Sequence, residues 1–344
     1  MSSQAPSSNI KFSAVKNLIS GNTSGPIAQS TFHNFNPQAG SSGTRISIAN
    51  QIANKFPFPP FNSNASTMAV CFSTRIIVPT YTGPVFRLRR SSDNAIQDFY
   101  TDKTQSYLTT GSGNTGTSFS SWIGTGNTAY VTIWYDQSGR GNNASNPLNN
   151  STQPYLDNTA PNSNGKYTIR FVRSNATVLY IASGIQPNTV FCHFYNMQAY
   201  YGATILSTEY DYQVRFGFGC TTISGDKNGG DWFFNGTVDP NSYDTYNYSP
   251  DQYLEYNNGV NQDYLYGYSD SILRNAWNVL TLSVVTPAWS TSQTNNSTTS
   301  FTRIGQDGYD ATERSIDGWI CELICHNKMI TLDDINCYYN NRFF

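Results

Sequence analysis

The chain has 344 residues, a formal net charge of −2 and a charged fraction of only 12%, whereas 15% of its residues are aromatic. Asn, Ser and Thr together number 113, about a third of the chain. An aromatic content this high supports a buried core and argues against a disordered tail. The near-zero charge offers no basic surface for nucleic acid. No apolar window reaches the ~20 residues that a membrane-spanning helix needs, and the first residues lack the layout of a secretory signal.

Residues 1–66 are predicted to form a polar segment of their own. Ser13 is a suitable N-cap for a short amphipathic helix, whose apolar residues would be Phe12, Val15, Leu18 and Ile19. Three prolines within residues 54–62 favour extended polyproline geometry. We therefore expect a boundary at residue 66 and a second domain over residues 67–344.

The second domain is predicted to be all-β. Residues 67–77 fit one helical element, after which strand patterns predominate. Strands are predicted at residues 84–90, 130–135, 167–172, 190–195, 213–218, 278–285, 301–304 and 319–325. Within the first of these, Phe86 and Leu88 should face inward while Arg87 and Arg89 face out. With Thr331 as N-cap, a helix is predicted near the end, and few helices elsewhere favour an antiparallel two-sheet sandwich over βαβ units.

Cysteine and histidine spacing predicts no metal site. The six cysteines include no Cys-x-x-Cys pair, so free buried thiols are expected, and the three histidines are isolated from one another. Four aspartates offer the oxygen ligands that calcium takes, although no fixed loop spacing supports a calcium site; these are Asp226, Asp231, Asp239 and Asp244. We expect neither a cofactor nor a metal.

Two motifs carry a family resemblance. The segment from Tyr81 to Asn94, followed by Tyr135-Asp136-Gln137-Ser138-Gly139-Arg140-Gly141-Asn142, resembles the alpha-L-arabinofuranosidase B catalytic domain. Residues 303–307 and 316–324 resemble the closing strands of concanavalin-A-like and laminin-G-like sandwiches. Together these resemblances cover about residues 68–344, and they imply a concanavalin-A-like jelly-roll β-sandwich.

The start of the chain carries a third, shorter resemblance. Residues 9–18 and 25–30 are similar to the opening segment of tail-fibre and virion-surface proteins of phages and large DNA viruses. This resemblance implies that residues 1–66 attach to other virion or capsid proteins and that the sandwich faces outward from the particle. Self-association into a homo-oligomer is expected, since such components gain avidity from symmetry.

The motif Tyr135, Asp136, Gly139, Gly141, Asn142 also has a structural explanation. Asp136 and Ser138 can accept hydrogen bonds from amides just ahead of them, while the two glycines permit positive φ in a tight loop. The arginines Arg87, Arg89 and Arg90 with Asp93 have two interpretations as well, because they suit either an anionic sugar or ordinary surface ion pairs. The structural alternative is favoured for both groups.

The resemblance also indicates where catalysis would occur. The acid/base aspartate of the arabinofuranosidases lies in an Ile-Gly-x-Asp turn, and Asp307 takes that place in Ile304-Gly305-Gln306-Asp307. Hydrolysis with retention needs a second carboxyl group ~5–5.5 Å away as nucleophile. Residues 212–217, which correspond to the nucleophile strand, contain no carboxylate. Glu209 and Asp211 precede that strand, but a one-residue slip turns a side chain to the other face.

Aromatic side chains offer a route to sugar binding without catalysis. Eight tyrosines lie between residues 243 and 268. The candidates for contact with a glycan are Trp232, Tyr243, Tyr246, Tyr253, Tyr256 and Tyr264, which alternatively fill the sandwich or a subunit contact. The favoured hypothesis is a non-enzymatic virion-surface protein with a lectin-like sandwich that binds host glycans. The alternative is a glycoside hydrolase that resembles alpha-L-arabinofuranosidase and acts on cell-wall polysaccharide, with Asp307 as acid/base and Glu209 or Asp211 as nucleophile.

Overall fold

The computed structural model describes residues 67–147, 151–197, 203–208, 215–218, 231–233, 253–257, 260–261, 275–284, 300–308, 311–312 and 315–343. Residues 1–66 lie outside this part of the chain. The attachment helix with Phe12, Val15, Leu18 and Ile19, the Pro-rich linker and the boundary at residue 66 therefore stay predictions.

The described residues form an all-β fold with two short α-helices. The strands are β1 (Met68–Ser73), β2 (Phe86–Arg90), β3 (Ile96–Phe99), β4 (Thr109–Gly111), β5 (Thr115–Ser118), β6 (Ala129–Trp134), β7 (Ala144–Ser145), β8 (Tyr155–Asp157), β9 (Thr168–Phe171), β10 (Leu179–Ile185), β11 (Thr189–Asn196), β12 (Ala203–Ser207), β13 (Arg215–Phe218), β14 (Asp231–Phe233), β15 (Tyr253–Asn257), β16 (Val260–Asn261), β17 (Ala276–Val284), β18 (Phe301–Ile304) and β19 (Gly318–His326). The helices are α1 (Phe119–Ile123) and α2 (Leu332–Asn340).

Seventeen of these strands form one antiparallel sheet that curls into two layers of jelly-roll type. One layer runs β3-β2-β6-β7-β10-β18-β12-β13-β14. The other runs β16-β15-β17-β11-β19, and both β1 and β9 pair with the other side of β19. Strand β8 pairs with both β6 and β9 and so joins the layers at one corner. The curling brings the ends of the domain together, because β1 pairs with β19.

The main core lies between the two layers and takes alternate residues from each strand. In β2, Phe86 and Leu88 are fully buried, as the alternation predicted, and Arg87 is partly exposed. Arg89 does not face out, and the prediction for it is wrong. Its side chain is buried, donates to Gln153 Oε1 at 3.0 Å and packs over the Tyr130 ring. A strand in mid-sheet can bury an arginine when partners satisfy its donors.

The helix expected over residues 67–77 is also a wrong prediction. Within that range Met68–Ser73 form β1, whose six side chains are all buried, with partners in β19 from Glu322 to His326. A short apolar run does not distinguish a buried strand from a buried helix by periodicity. Pairing with a distant strand decided the conformation here.

The eight predicted strands are all present, with ends that differ by at most two residues from those predicted. The final helix is present too. Thr331 caps it, because Asp334 N–H donates to Thr331 Oγ1 at 3.2 Å and Thr331 N–H donates back to Asp334 Oδ2 at 3.2 Å. Neither described helix is long and apolar enough to span a bilayer.

Candidate functional site

The candidate site forms where β18 ends in the turn Gly305-Gln306-Asp307. Gly305 has φ of +86°, and a Cβ atom built there would lie 2.1 Å from Phe171 Cδ1 in the core. Only glycine fits such a position, because it needs positive φ and close approach at once. Gly305 N–H donates to Ile205 O at 2.8 Å, which ties the turn to β12.

Asp307 is fully buried, with a relative exposure of 0%. Thr204 Oγ1 donates to Asp307 Oδ2 at 2.9 Å, and Asp307 N–H donates to Ser315 Oγ at 2.9 Å. From the same strand as Thr204, Ser207 Oγ donates to the carbonyl of Gln306 at 2.6 Å. Three hydroxyl groups therefore contribute to holding the turn in place.

A bulge in β12 explains how two of these hydroxyls reach one turn. Thr204 and Ser207 are three residues apart, and in a regular strand such residues point to opposite faces. The register between β12 and β13 shifts between Thr204 and Leu206, which marks one extra residue in β12. A bulge of this kind re-aims the side chains that follow it. Thr204 and Ser207 thus both face the Asp307 turn.

Asp307 lies beside a row of residues that are in register across four strands of this layer. The row consists of Tyr180 in β10, Arg303 in β18, Ser207 in β12 and Arg215 in β13. Arg303 packs its guanidinium 5.4 Å from the Tyr180 ring centroid and donates to Gln306 Oε1. Tyr180 is 38% exposed. The neighbouring row, Leu179, Ile304, Leu206 and Phe216, belongs to the core.

The described strands provide no second carboxylate on the face of Asp307. The β13 residues opposite Ser207 and Thr204 are Arg215 and Gly217. Among the described residues the other buried carboxylates, Asp136 and Glu322, belong to the loop after β6 and to β19. Glu209 and Asp211 lie outside the described residues, so their role as nucleophile stays a prediction. Thr208, directly before Glu209, is described and buried.

The motif after β6 has the hydrogen bonds that its structural explanation predicts. Four donors converge on the Asp136 carboxylate: Cys71 N–H at 2.8 Å, Ser138 N–H at 2.9 Å, Ser138 Oγ at 2.7 Å and Asn142 N–H at 3.1 Å. Gly139 and Gly141 have φ of +82° and +75°. Asn142 Nδ2 donates to Ala69 O at 3.2 Å. The loop thereby fastens β6 to β1, and the geometry favours a structural role.

Tyr135 and the arginines of β2 are likewise engaged within the protein. Arg87 forms a bidentate pair with Asp98, and Tyr135 Oη donates to Asp98 Oδ1 at 2.8 Å. Burial opposes ionisation of Asp98, but the bonds from Arg87 and Tyr135 outweigh it and lower the pKa of this carboxyl group. Arg90 pairs with Asp93 at 2.6 Å. These contacts agree with ordinary ion pairs rather than a clamp for an anionic sugar.

The predicted aromatic contacts are divided between the layers. Trp232 in β14 stands opposite Gly217, which itself stands opposite Thr204, so the register brings Trp232 to the Asp307 end of its layer. Tyr253 and Tyr256 in β15 pair with β17 in the other layer. Tyr243, Tyr246 and Tyr264 lie outside the described residues. Among the tyrosines and tryptophan proposed to contact a glycan, register thus places only Trp232 near Asp307 within the described chain.

Sequence analysis did not identify the hydroxyl groups that surround Asp307. Thr204 and Ser207 lie in β12, a strand that was not predicted, and Ser315 lies in a loop. Tyr180 was missed as well, because β10 was not predicted. No local motif marks these residues, since only strand register brings them to the turn.

A second buried polar cluster lies on β19 and its neighbours in the other layer. Arg75 Nε donates to Glu322 Oε1 at 2.8 Å, and Cys321 Sγ lies 3.2 Å from His193 Nδ1. Burial lowers the pKa of His193 to about 3, helped by Arg342 and Arg75. His326, whose Nε2 lies 2.8 Å from Tyr338 Oη, has a pKa lowered to about 4, again mainly by burial.

The thiols agree with the prediction of free, buried cysteines where they are described. Cys71, Cys192, Cys321 and Cys325 are free and buried. Burial raises the pKa of each of these thiols, which keeps them protonated. Within the described residues no group of three or more His, Cys, Asp or Glu side chains could hold a metal ion. The calcium candidates Asp226, Asp239 and Asp244 lie outside them, as does the side chain of Asp231.

Comparison with known proteins supports the fold and the superfamily. The model of the family "Alpha-L-arabinofuranosidase B, catalytic" matches residues 61–231, about half of the chain, and this range ends before Asp307. The structure is similar to that of an arabinofuranosidase complexed with arabinofuranosyl-alpha-1,2-xylobiose, with a TM-score of 0.50, 14% identity and 83% of this chain covered. A GH54 alpha-L-arabinofuranosidase soaked with a cyclic sulfate inhibitor gives a TM-score of 0.48, 15% identity and the same 83% coverage.

The similarity extends over part of the two arabinofuranosidase structures. The chain spans 64% of the length of each of these two arabinofuranosidase structures. At 14% identity the likeness to the first shows the fold. No curated protein matches the chain. The virion-surface form of the resemblance has no support among these similarities, and it stays a prediction.

Proposed function

We propose that this chain carries an arabinofuranosidase-like glycoside hydrolase domain, which cleaves alpha-L-arabinofuranosyl groups from a polysaccharide. The observation that carries this proposal is the setting of Asp307. The Ile-Gly-x-Asp turn, the buried carboxyl group and its hydroxyl partners occur together in a sandwich similar to that of an arabinofuranosidase.

In this proposal Asp307 acts twice, first as acid and then as base. As an acid it protonates the glycosidic oxygen while the nucleophile attacks the anomeric carbon, which breaks the bond to the leaving group. As a carboxylate it then takes a proton from the water that releases the sugar. The nucleophile is Glu209 or Asp211, in the connection that leads from β12 to β13.

The proposal is tested with 4-nitrophenyl alpha-L-arabinofuranoside. The wild-type chain should release 4-nitrophenol, and Asp307→Asn should lower kcat/KM by roughly 100-fold or more. Asp102→Asn is the matched control, because Asp102 lies in a partly exposed loop where it accepts bonds from Thr104 and Ser106. Glu209→Gln and Asp211→Asn, measured separately, identify the nucleophile. Absence of release by the wild-type chain at high protein concentration contradicts the proposal.

A second candidate function is non-enzymatic glycan binding at the surface of a virion. It is favoured by one observation: the β13 residues opposite Ser207 and Thr204 are Arg215 and Gly217, so the strand next to the site carries no nucleophile. In this alternative the sandwich binds a host glycan, and residues 1–66 attach a homo-oligomer to other capsid proteins. Its location would be the outer face of the particle.

The second candidate has its own test. Arabinofuranosyl oligosaccharides should bind with measurable heat in calorimetry while remaining intact over a long incubation. Deletion of residues 1–66 should abolish incorporation into particles and leave the sandwich folded by circular dichroism. Normal incorporation of the truncated chain would refute the attachment role, and turnover in the first assay would favour the hydrolase.

A further inference from the structure

We propose that Thr204 is a positioning residue for Asp307, and that its hydroxyl proton holds the carboxyl group in one orientation. This inference rests on the proposed hydrolase function, in which Asp307 must exist both as an acid and as a carboxylate. It assigns a role to a strand position that no sequence motif marks.

The hydroxyl protons around the turn go to different acceptors. Ser315 Oγ donates its proton to Ala311 O at 2.6 Å, so toward Asp307 N–H it acts as an acceptor. Ser207 Oγ gives its proton to the carbonyl of Gln306 at 2.6 Å. Of these three hydroxyls, only that of Thr204 is directed to the Asp307 carboxyl group, at 2.9 Å.

Thr204 is held rigidly in the fold. The residue is fully buried in β12, where Gly217 of β13 pairs with it on one side and Ser315 forms an isolated parallel bridge with it on the other. A β-branched side chain has few rotamers, and a central strand fixes its backbone on both sides. Its hydroxyl already points to the Asp307 carboxyl group, at 2.9 Å. Thr204 is therefore placed before any substrate binds.

The bond from Thr204 affects the protonation of the carboxyl group. A hydroxyl donor bonds more strongly to a carboxylate than to a neutral carboxyl group, and so it favours the charged form. Loss of that donor in a dry site disfavours the charged form, and Asp307 should then titrate at higher pH. For a bond of this kind the displacement is about one pH unit or more.

The experiment compares three substitutions in the full chain. Thr204→Val removes the hydroxyl at nearly constant volume, and Thr204→Ser restores it. Thr281→Val is the matched control, because Thr281 is also a fully buried strand residue and its Oγ1 has no hydrogen-bond partner among the described residues. The readout is the ¹³C resonance of the Asp307 carboxyl group in aspartate-labelled protein, which is identified by its loss in Asp307→Asn and followed from about pH 3 to pH 8.

The expected result is a midpoint about one pH unit higher in Thr204→Val, with wild-type midpoints in Thr204→Ser and Thr281→Val. If the wild-type chain is active, the same displacement should appear in the pH profile of kcat/KM. An unchanged midpoint in Thr204→Val overturns the inference even if the chain is a hydrolase. If the midpoint is displaced in Thr204→Val but the wild-type chain shows no turnover, the role of Thr204 is supported and the hydrolase function is rejected.

A folding defect does not block the test. Should Thr204→Val fail to fold, Thr204→Ala takes its place, since it removes the hydroxyl and leaves no new branch. Near-UV circular dichroism at neutral pH checks each variant first. A folded hydroxyl-free variant with the wild-type midpoint refutes the role of Thr204.

Discussion

At the scale of single residues, two buried carboxylates both accept hydrogen bonds but differ in their roles. Asp136 collects four hydrogen bonds and fastens the loop after β6 to β1 through Cys71 N–H. Asp307 is held by Thr204 and Ser315 at a turn beside a polar row. The motif around Asp136 was the clearer sequence signal, yet it marks a structural element.

We predict that Asp136→Asn destabilises the sandwich by about 2–4 kcal/mol. The amide nitrogen would face donors that now bond to the carboxylate, and buried donors left unpaired are costly. Asp102→Asn is the control, because Asp102 also accepts four bonds, from Thr104 and Ser106, but at an exposed loop. Its cost should stay below about 1 kcal/mol, since water can replace the lost partners. Urea denaturation measures both, and equal costs would contradict the argument.

At the scale of elements, the turn after β18 shows that a functional position depends on core packing. Gly305 must approach the Phe171 ring and adopt positive φ for Asp307 to reach Thr204. Likewise, Met68–Ser73 form β1 only because β19 pairs with them. Sequence predicted that a turn would follow residue 304, but not what the turn packs against.

We predict that Gly305→Ala is far more damaging than Gly139→Ala. Both glycines have positive φ, at +86° and +82°. A Cβ atom at Gly139 meets nothing within 4 Å, whereas at Gly305 it would overlap the Phe171 ring. Gly139→Ala should cost about 1–2 kcal/mol from backbone strain alone, and Gly305→Ala at least about 3 kcal/mol. Thermal melting of both variants provides the comparison, and similar melting temperatures would refute it.

At the scale of the whole molecule, the closure of the two layers buries two neutral histidines. His193 contacts Trp277 and lies near Arg75 and Arg342, which oppose its protonation along with burial. His326 is bonded to Tyr338, and its pKa is lowered despite the favourable charge of Asp334. Both imidazoles have folded pKa values below the unfolded value of about 6.5.

We predict that the free energy of unfolding falls as the pH drops below about 6.5. The unfolded chain binds more protons there, so stability is complete above that pH and declines by about 1.4 kcal/mol per pH unit for each histidine. Asp93, Asp98 and Asp102, whose pKa values are lowered, add to the loss only below about pH 4. Urea denaturation between about pH 4.5 and pH 6.5 should show roughly half the slope in His193→Gln or His326→Gln. An unchanged slope in both variants would contradict burial as the cause.

The sequence by itself determined many of the strands whose residues alternate or are rich in β-branched and aromatic types. Eight strands were predicted to within two residues, and the start of α2 after Thr331 was predicted as well. Short strands such as β7, β12 and β14 were missed, because runs of two to five residues carry no clear periodic signal. The bonds within the Asp136 loop were also predictable, since Ser138 and Asn142 are close to Asp136 in the chain, whereas the bond from Cys71 N–H depends on the fold.

The tertiary structure decided everything that depends on residues distant in the chain. Residues 204, 207 and 315 meet at Asp307 because β12 and β18 pair and because β12 contains a bulge. The same pairing sets Arg215 and Gly217, rather than a carboxylate, opposite Ser207 and Thr204. Local sequence fixes φ and ψ preferences, whereas register between strands is set by packing of the whole core.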